Sequence, residues 1–516
     1  MVKRFQERAK ALSWAGRNVI KPRAPEPKKA NKKCPEIGKL EDYTKKFPAD
    51  HWQTWPSFYP KSWKPSSWID GEVVYQMARE TGVQDMKEAA WVRDTLQQGA
   101  DTGVRGASRL PTEGRNQSSA FLHGELLADA LGAWVKQELM AGPYERGQLP
   151  WSDIKIAPMS VQLKPSGAAH LIVDMSHPHV DKDKVDLNGD RGMSCNSSIK
   201  VKDFPAVMST AGDVLLILLR YGPGVSMCKQ DWADAYKNIA VRESDIRLQC
   251  VSWGDAIFVD RSLTFGMASS PGIYDRISGM IMQIAMKKAE VWRKDVYKCL
   301  DDCGNVGRPE QTEKFFEAYR ETCAKTGVHL ALMGDANKCF GSETHGTILG
   351  VHFNTVSWTW GFCERKINKI LIQLFDVTES GMVEFKTLES LSGRLNHYKD
   401  IVSSEACWER GHLIYKVAET DAKRGQVIVD EQLRKQCDWW ARAIFATTKT
   451  RNSIPDPRLW FRSQFVELYP DAAGGSTSER GRGFGGVLWN TNPRRMFYGA
   501  WPDHIQKNLK RGEIWP

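Results

Sequence analysis

Two adjacent aspartates, Asp301-Asp302, follow an apolar run, and a third, Asp231, closes another about seventy residues earlier. Carboxylates are among the side chains least often buried without a partner. Three of them at the ends of apolar stretches point to a hard divalent cation. Two-metal sites hold ions roughly 4 Å apart and clamp the attacking and leaving oxygens of an in-line phosphoryl displacement. Mg²⁺ suits that role because it takes a few carboxylates plus substrate phosphates and keeps some water. The expected cofactor is two Mg²⁺ ions, with Mn²⁺ as a substitute.

Composition bounds the alternatives. A chain of 516 residues is too long for one ordinary domain. Its net charge of +10 permits a nucleic-acid partner without demanding one. The 11 cysteines are odd in number and lack CxxC spacing. They argue for reduced thiols in cytoplasm or nucleus, and against a zinc module or a disulfide framework. No run of about eighteen apolar residues stands out as a membrane span, and the start, Met1 to Arg8, has no apolar signal core.

Residues 1–50 are rich in Lys, Arg and Pro and read as a solvated, disordered basic arm, a reading compatible with contact to nucleic acid. Residues 51–117 form an extension carrying Trp52, Trp55, Phe58, Tyr59, Trp63 and Trp68 among prolines. These rings could stack on single-stranded bases; the favoured reading is that they staple an extended segment onto the next domain. Helical spacing over about 118–142 ends at Gly142-Pro143. Strand-like runs follow at 154–163 and 170–174, joined by the turn Lys164 to Gly167, and a hairpin at 247–259 turns on Gly254-Asp255. Ile273, Ile277, Met280, Ile281 and Ile284 have helical spacing, as do 310–325, 388–398 and 431–446. Further strands are expected at 328–333, 348–353, 465–469, 484–489 and 495–499.

The order of these parts resembles the reverse transcriptases of retroelements, over about 120–516 and most closely over 150–400. Gln230-Asp231-Trp232-Ala233-Asp234-Ala235-Tyr236 looks like motif A, and Leu263-Thr264-Phe265-Gly266-Met267-Ala268-Ser269-Ser270-Pro271 looks like motif B. Leu300-Asp301-Asp302 looks like the motif C box, and Thr326 to Leu330 with Asn337-Lys338-Cys339 looks like motif D. Leu349-Gly350-Val351-His352-Phe353 is similar to motif E, and Leu388 to Asn396 is similar to a thumb helix. Each motif is weak alone; six in order with natural gaps are specific together.

The resemblance implies an α+β right-hand polymerase of fingers, palm and thumb, with an antiparallel palm sheet. It implies fingers and the start of the palm over 118–222, palm over 223–365 and thumb or connection over 366–450. Asp231 and Asp301 would bridge both metals, with Asp302 the neighbouring carboxylate. Tyr236 would lie under the incoming sugar and exclude a ribose 2′-OH. Phe265, Gly266 and Lys338 would bind the dNTP, and Lys338 could protonate the leaving pyrophosphate. Gly393 and Arg394 would touch primer–template. The implied partners are an RNA or DNA template with its primer and dNTPs, without a membrane; the oligomeric state stays open.

Departures from the family pattern are local. The fingers hairpin carries His170 where the family has an arginine that grips triphosphate, and neutral imidazole is a poorer phosphate ligand. Either dNTP binding is weaker, or another basic residue such as Lys164 or Arg105 compensates. Cys299 replaces the usual aromatic before the acidic pair, and Cys303 to Gly307 is less apolar than usual, so a distorted hairpin is a possibility there. Residues 451–516 resemble the opening of a truncated RNase H-like α/β segment, with Asp471 ending its first strand and Glu513 on its first helix. The chain stops inside that domain, so RNase H activity is not expected. An RNase H after the thumb fits gypsy-type LTR elements or DIRS-type elements; His170 and the lack of an upstream Asp-Thr/Ser-Gly segment lean to the second.

Two other functional readings remain. One is a domesticated or decayed polymerase scaffold that binds nucleic acid without synthesis. The other is an RNA-directed RNA polymerase, which Tyr236 at the gate position opposes.

Overall fold

The computed structural model describes residues 56–163, 169–179, 193–333, 338–362, 364–402, 406, 409–419, 425–449 and 452–453, and the backbone of 468–473, 483–488 and 495–500. The basic arm, Trp52, Trp55, Lys164 with its turn, Asn337 and Glu513 lie outside the described residues. The protein is a mixed α/β chain with several sheets, divided into two compact units that interleave along the sequence.

The first unit takes residues up to 64, 101–199 and 241–268. Its five-stranded sheet runs in the order Thr112–Glu113, Lys155–Ile156, Cys250–Trp253, Ala256–Asp260, Met140–Tyr144. The third and fourth strands form the expected hairpin, with Gly254 at φ 58° in its turn. Helix Gly124–Lys136 buries Leu127, Leu131 and Val135, one residue per turn of a single face. It stops six residues short of Gly142-Pro143. That dipeptide lies inside strand Met140–Tyr144, where the register slips between Ala141 and Tyr144. The reason is space: Gly142 has φ 136°, and a Cβ there would stand 2.9 Å from the Ile257 carbonyl oxygen. A bulge is one of the few strand positions that tolerates proline. Phe58 pairs with Gly142, the Tyr59 hydroxyl donates to the Pro143 carbonyl at 2.7 Å, and Trp63 packs on Trp151. These rings act as the hydrophobic staple expected of them.

The second unit takes 65–100, 200–240 and everything from 269. It begins with helices α1 (Gly71–Glu80) and α2 (Met86–Gln98). Asp70 caps α1 by accepting from the Glu72 and Val73 amides. Helix α3 (Ala211–Tyr221) starts from a capping box made by Thr210 and Asp213. Strand β1 (Ser226–Lys229) follows, then helix α4 (Ser270–Ala289), strands β2 (Val296–Cys299) and β3 (Asp302–Gly307), helix α5 (Pro309–Thr326) and strand β4 (Phe340–Glu343). The strands order as β4-β1-β3-β2, all neighbours antiparallel. Helices α4 and α5 bury Ile273, Ile277, Met280, Ile281 and Ile284, and Phe315, Tyr319 and Cys323.

Two expected strands come out differently. Over 328–333 only Leu330 pairs, in a single bridge to Trp232, while Leu332 and Met333 turn outward to solvent. The run 348–353 is not one strand but two, His345–Ile348 and Val351–Asn354. Leu349 and Gly350 both take positive φ and reverse the chain in a two-residue turn. Helices Glu364–Glu379, Phe385–Val402, Gly411–Glu419 and Glu431–Lys449 close a core around Leu374, Leu391, Leu395, Leu433 and Trp440. The strands Leu468–Ala473, Gly483–Leu488 and Arg495–Ala500 form an antiparallel meander. Asp471 sits within its first strand, opposite Gly485, rather than at the strand's end.

Candidate active site

The acidic residues meet because of one register. Gln230 exchanges two backbone hydrogen bonds with Cys303, at 2.7 and 2.9 Å. Met227 faces Val306 in the same ladder. Antiparallel pairing then sets Asp231 opposite Asp302, with both side chains on one face. Beyond Asp231 the chain is held by residues 329–331: the Ala233 amide donates to the His329 carbonyl and the Ala331 amide to the Asp231 carbonyl, both at 2.9 Å. Trp232 is buried, and its indole donates to the Tyr319 hydroxyl at 2.7 Å.

Asp301 sits in the tight turn between β2 and β3. Cys299 pairs with Asp302, so Leu300-Asp301 forms the two-residue loop, and Leu300 takes φ 54°. A non-glycine residue in that region costs about 1–2 kcal/mol, strain concentrated beside the acids. The hairpin is regular, not distorted. Gly304 explains the weak apolar signal that followed the acids. A Cβ at Gly304 would lie 1.9 Å from the Cys228 carbonyl oxygen, which instead accepts from the Tyr297 hydroxyl at 2.9 Å. The Asn305 amide nitrogen donates to the Asp295 carbonyl at 2.7 Å, while its Oδ1 is buried without a hydrogen-bond partner.

Charge is the dominant feature of the site. Burial raises the Asp301 carboxyl above its ordinary range, and the neighbouring Asp231 charge adds to this. Burial pushes Asp302 up to about 6, with Asp231 and Asp301 adding, even though Lys229 pulls the other way. Desolvation outweighs the ion pair here. Each of two carboxylates holds a lysine: Lys338 Nζ lies 3.0 Å from Asp231 Oδ1, and Lys229 Nζ lies 3.0 Å from Asp302 Oδ2. Asp302 Oδ1 is buried without a hydrogen-bond partner. An all-oxygen donor set with an orphaned buried oxygen fits a hard divalent cation. Among the described residues, no three side chains of ligand type converge into a ready-made metal group. A cation here would therefore rest on one or two carboxylates plus substrate phosphates. Tyr236 is buried edge-on against Tyr274, and burial and then the Asp301 charge push its hydroxyl up to about 12.

Asp231, Asp301, Asp302, Lys338 and Tyr236 thus gather in the second unit. The first unit gathers His170, Phe265 and Gly266. The His170 and Phe265 rings meet edge to face at 5.6 Å. Gly266, at φ 94°, approaches so closely that a Cβ would stand 2.2 Å from the Val173 carbonyl oxygen. Asn196 holds this loop from both sides: its amide donates to the Gly266 carbonyl at 2.8 Å, and its oxygen accepts from the Ala268 amide at 2.8 Å. Arg105, a candidate substitute for the missing arginine, pairs with Asp101. Gly393 and Arg394 lie on helix Phe385–Val402, Gly393 with open space around it and Arg394 donating to Gln373.

Two residues escaped the sequence reading. Asn196 lies in a polar, turn-rich stretch with no periodicity to mark it. Lys229 left a signal: it is a charged residue inside an otherwise buried strand, two positions before Asp231 and therefore on the same face.

No family model and no curated protein sequence matches the chain. Among solved structures, it is similar to the foamy viral protease-reverse transcriptase. The dRH form with double-stranded DNA aligns at TM-score 0.47 and 11% identity, over 88% of this chain and 71% of that one. The complex with RNA/DNA hybrid aligns at 0.46 and 11%, over 86% and 55%, and a further complex with double-stranded DNA at 0.43 and 12%, over 85% and 82%. These scores fall short of a shared fold, so the functional reading rests on the carboxylates themselves.

Proposed function

We propose that the protein is a nucleotidyltransferase of the reverse-transcriptase kind, an RNA-directed DNA polymerase that adds dNTPs to a primer 3′-OH. The observation that carries this reading is the register that sets Asp231 opposite Asp302 with Asp301 in the adjoining turn. Such a cluster gains nothing structural from mutual repulsion, and the order of motifs around it is that of the family.

In this reading the second unit supplies the palm, and Mg²⁺ would be held by Asp231 and Asp301. A metal held there would supply positive charge to the attacking and leaving oxygens. The chain's own residues orient and exclude. The Gln230–Cys303 pairing fixes the spacing of the acids. Lys338 is half-exposed and able to leave Asp231 for a triphosphate, where it would balance charge on the departing pyrophosphate. Tyr236 supplies a rigid wall that favours a deoxyribose. His170, Phe265 and Gly266 belong by resemblance to nucleotide binding.

A second reading, nucleic-acid binding without synthesis, is favoured by the lysine on each of two carboxylates. Primer extension separates them. On poly(rA)/oligo(dT) with Mg²⁺, the protein should incorporate dTTP and reject UTP, and Tyr236→Ala should relax that preference at least tenfold. Duplex binding with no extension on this or a heteropolymeric template would establish the scaffold reading instead.

A further inference from the structure

In the first unit, the short segment 193–198 is pinned at its start and reaches out from its middle. Lys155 is buried, and its Nζ donates to the Leu110 and Met193 carbonyls at 2.7 Å each, which fixes where the segment begins. Three residues on, the Asn196 side chain joins two other stretches of chain. Its Nδ2 donates to the Ser176 hydroxyl at 2.9 Å and to the Gly266 carbonyl at 2.8 Å, and its Oδ1 accepts from the Ala268 amide at 2.8 Å. The loop thus presents an acceptor at Gly266 and a donor at Ala268. A primary amide, with donors on one atom and lone pairs on the other, meets both. An aspartate of the same size would turn an oxygen towards the Gly266 carbonyl. The loop needs such a clamp. Gly266 sits at φ 94°, pressed so closely on Val173 that a Cβ would stand 2.2 Å from its carbonyl oxygen. The bond within the loop, from the Met267 amide to the Thr264 carbonyl, is long at 3.5 Å. Yet the loop holds the Phe265 ring 40% exposed beside His170.

We infer that Asn196 is a positioning residue for the nucleotide: it locks residues 264–268 in the shape that presents Phe265 and Gly266, and so sets the affinity for the incoming dNTP rather than the rate of the chemical step. A loop that must be ordered on binding charges that ordering against affinity, and a loop held beforehand does not. Asn196 acts through Gly266 and Ala268 and touches no reacting atom. Through Ser176 the same amide is tied just beyond strand Ala169–Val173, which carries His170, so one side chain holds the loop against the hairpin that flanks it. The inference rests on the reading that gives Phe265 and Gly266 to nucleotide binding.

The test uses the full chain with two readouts. The first is amide hydrogen exchange over 264–268 with no nucleotide present. N196A should speed exchange there about tenfold or more, while the neighbouring strands Cys250–Trp253 and Ala256–Asp260 keep their protection. The second is the kinetics of dTTP incorporation on poly(rA)/oligo(dT). N196A should raise KM for dTTP about fivefold or more, with kcat and KM for primer–template within about twofold of wild type. N196D keeps the acceptor for Ala268 but loses the donor to Gly266, and should raise KM for dTTP about threefold or more. S176A leaves both loop bonds in place and should stay within about twofold of wild type on both readouts. A residue serving only the stability of the fold would not split KM from kcat in this way. If N196A does not fold, N196D carries both readouts, with exchange over 264–268 about threefold or more faster. With wild type active, the inference is overturned if exchange over 264–268 is unchanged, if kcat falls while KM for dTTP holds, or if S176A matches N196A; the proposed function survives each of these. No incorporation by wild type would instead bring down the proposed function, and this assignment with it.

Discussion

Asp302 carries a pH signature that follows from its burial. An acid whose carboxyl is raised to about 6 in the folded chain, from an ordinary value near 4, binds protons more tightly folded than unfolded. Between those values the folded state holds the extra proton. Its contribution therefore destabilises the fold above pH 6 and vanishes below about pH 4. The size is on the order of 3 kcal/mol, from 1.36 kcal/mol per pH unit. Metal-free protein should thus gain stability as pH falls from 7 towards 5, measured by urea unfolding at each pH. Asp302→Asn should flatten that slope; an unchanged slope would contradict the assignment. Mg²⁺ should also release protons and flatten it, because a cation favours the ionised carboxylates.

At the scale of elements, the β2–β3 hairpin depends on a residue with no side chain. Gly304→Ala would press a methyl against the Cys228 carbonyl at 1.9 Å and displace the Tyr297 hydroxyl. The expected loss is about 2–4 kcal/mol by denaturant unfolding, at or above the upper end for overpacking because backbone cannot rotate away. Removing the Thr210 cap of α3 should cost about 1 kcal/mol by the same measurement. Elements with strong periodicity were legible in the sequence. Helices α4 and α5 and the hairpin around Gly254 fall where apolar spacing and turn residues put them. The failures have local causes. Gly142-Pro143 reads as a helix stop, yet it is a bulge, because the close approach of Ile257 decides its conformation and lies more than a hundred residues away. Leu349-Gly350 reads as strand, because a leucine at positive φ leaves no compositional trace.

At the scale of the molecule, residues far apart in sequence build each unit, and this is what the sequence conceals. Residues 65–100 precede the acidic motifs by more than a hundred positions but belong with them in the second unit. The Asp70 amide donates to the Thr326 carbonyl at the end of α5, Trp68 stacks on His329, and Arg276 of α4 grips Glu88 while lying over Trp91. A chain begun at residue 101 should therefore lose solubility and near-UV ellipticity, whereas an independent module would detach without effect. Among the described residues, no helix is long and apolar enough to cross a membrane. The candidate site was legible to the extent that motif order marks it: Asp231, Asp301, Asp302, Tyr236 and Lys338 were all readable, while Lys229 and Asn196 emerged only with the sheet register and the loop in view. The measurement that bears most directly on the central claim is Mg²⁺-dependent dTTP incorporation on poly(rA)/oligo(dT) by wild type and by Asp301→Asn. Wild type should incorporate dTTP and the variant should lose at least about 10³-fold, with duplex binding unchanged. Equal incorporation by the two proteins would contradict that claim.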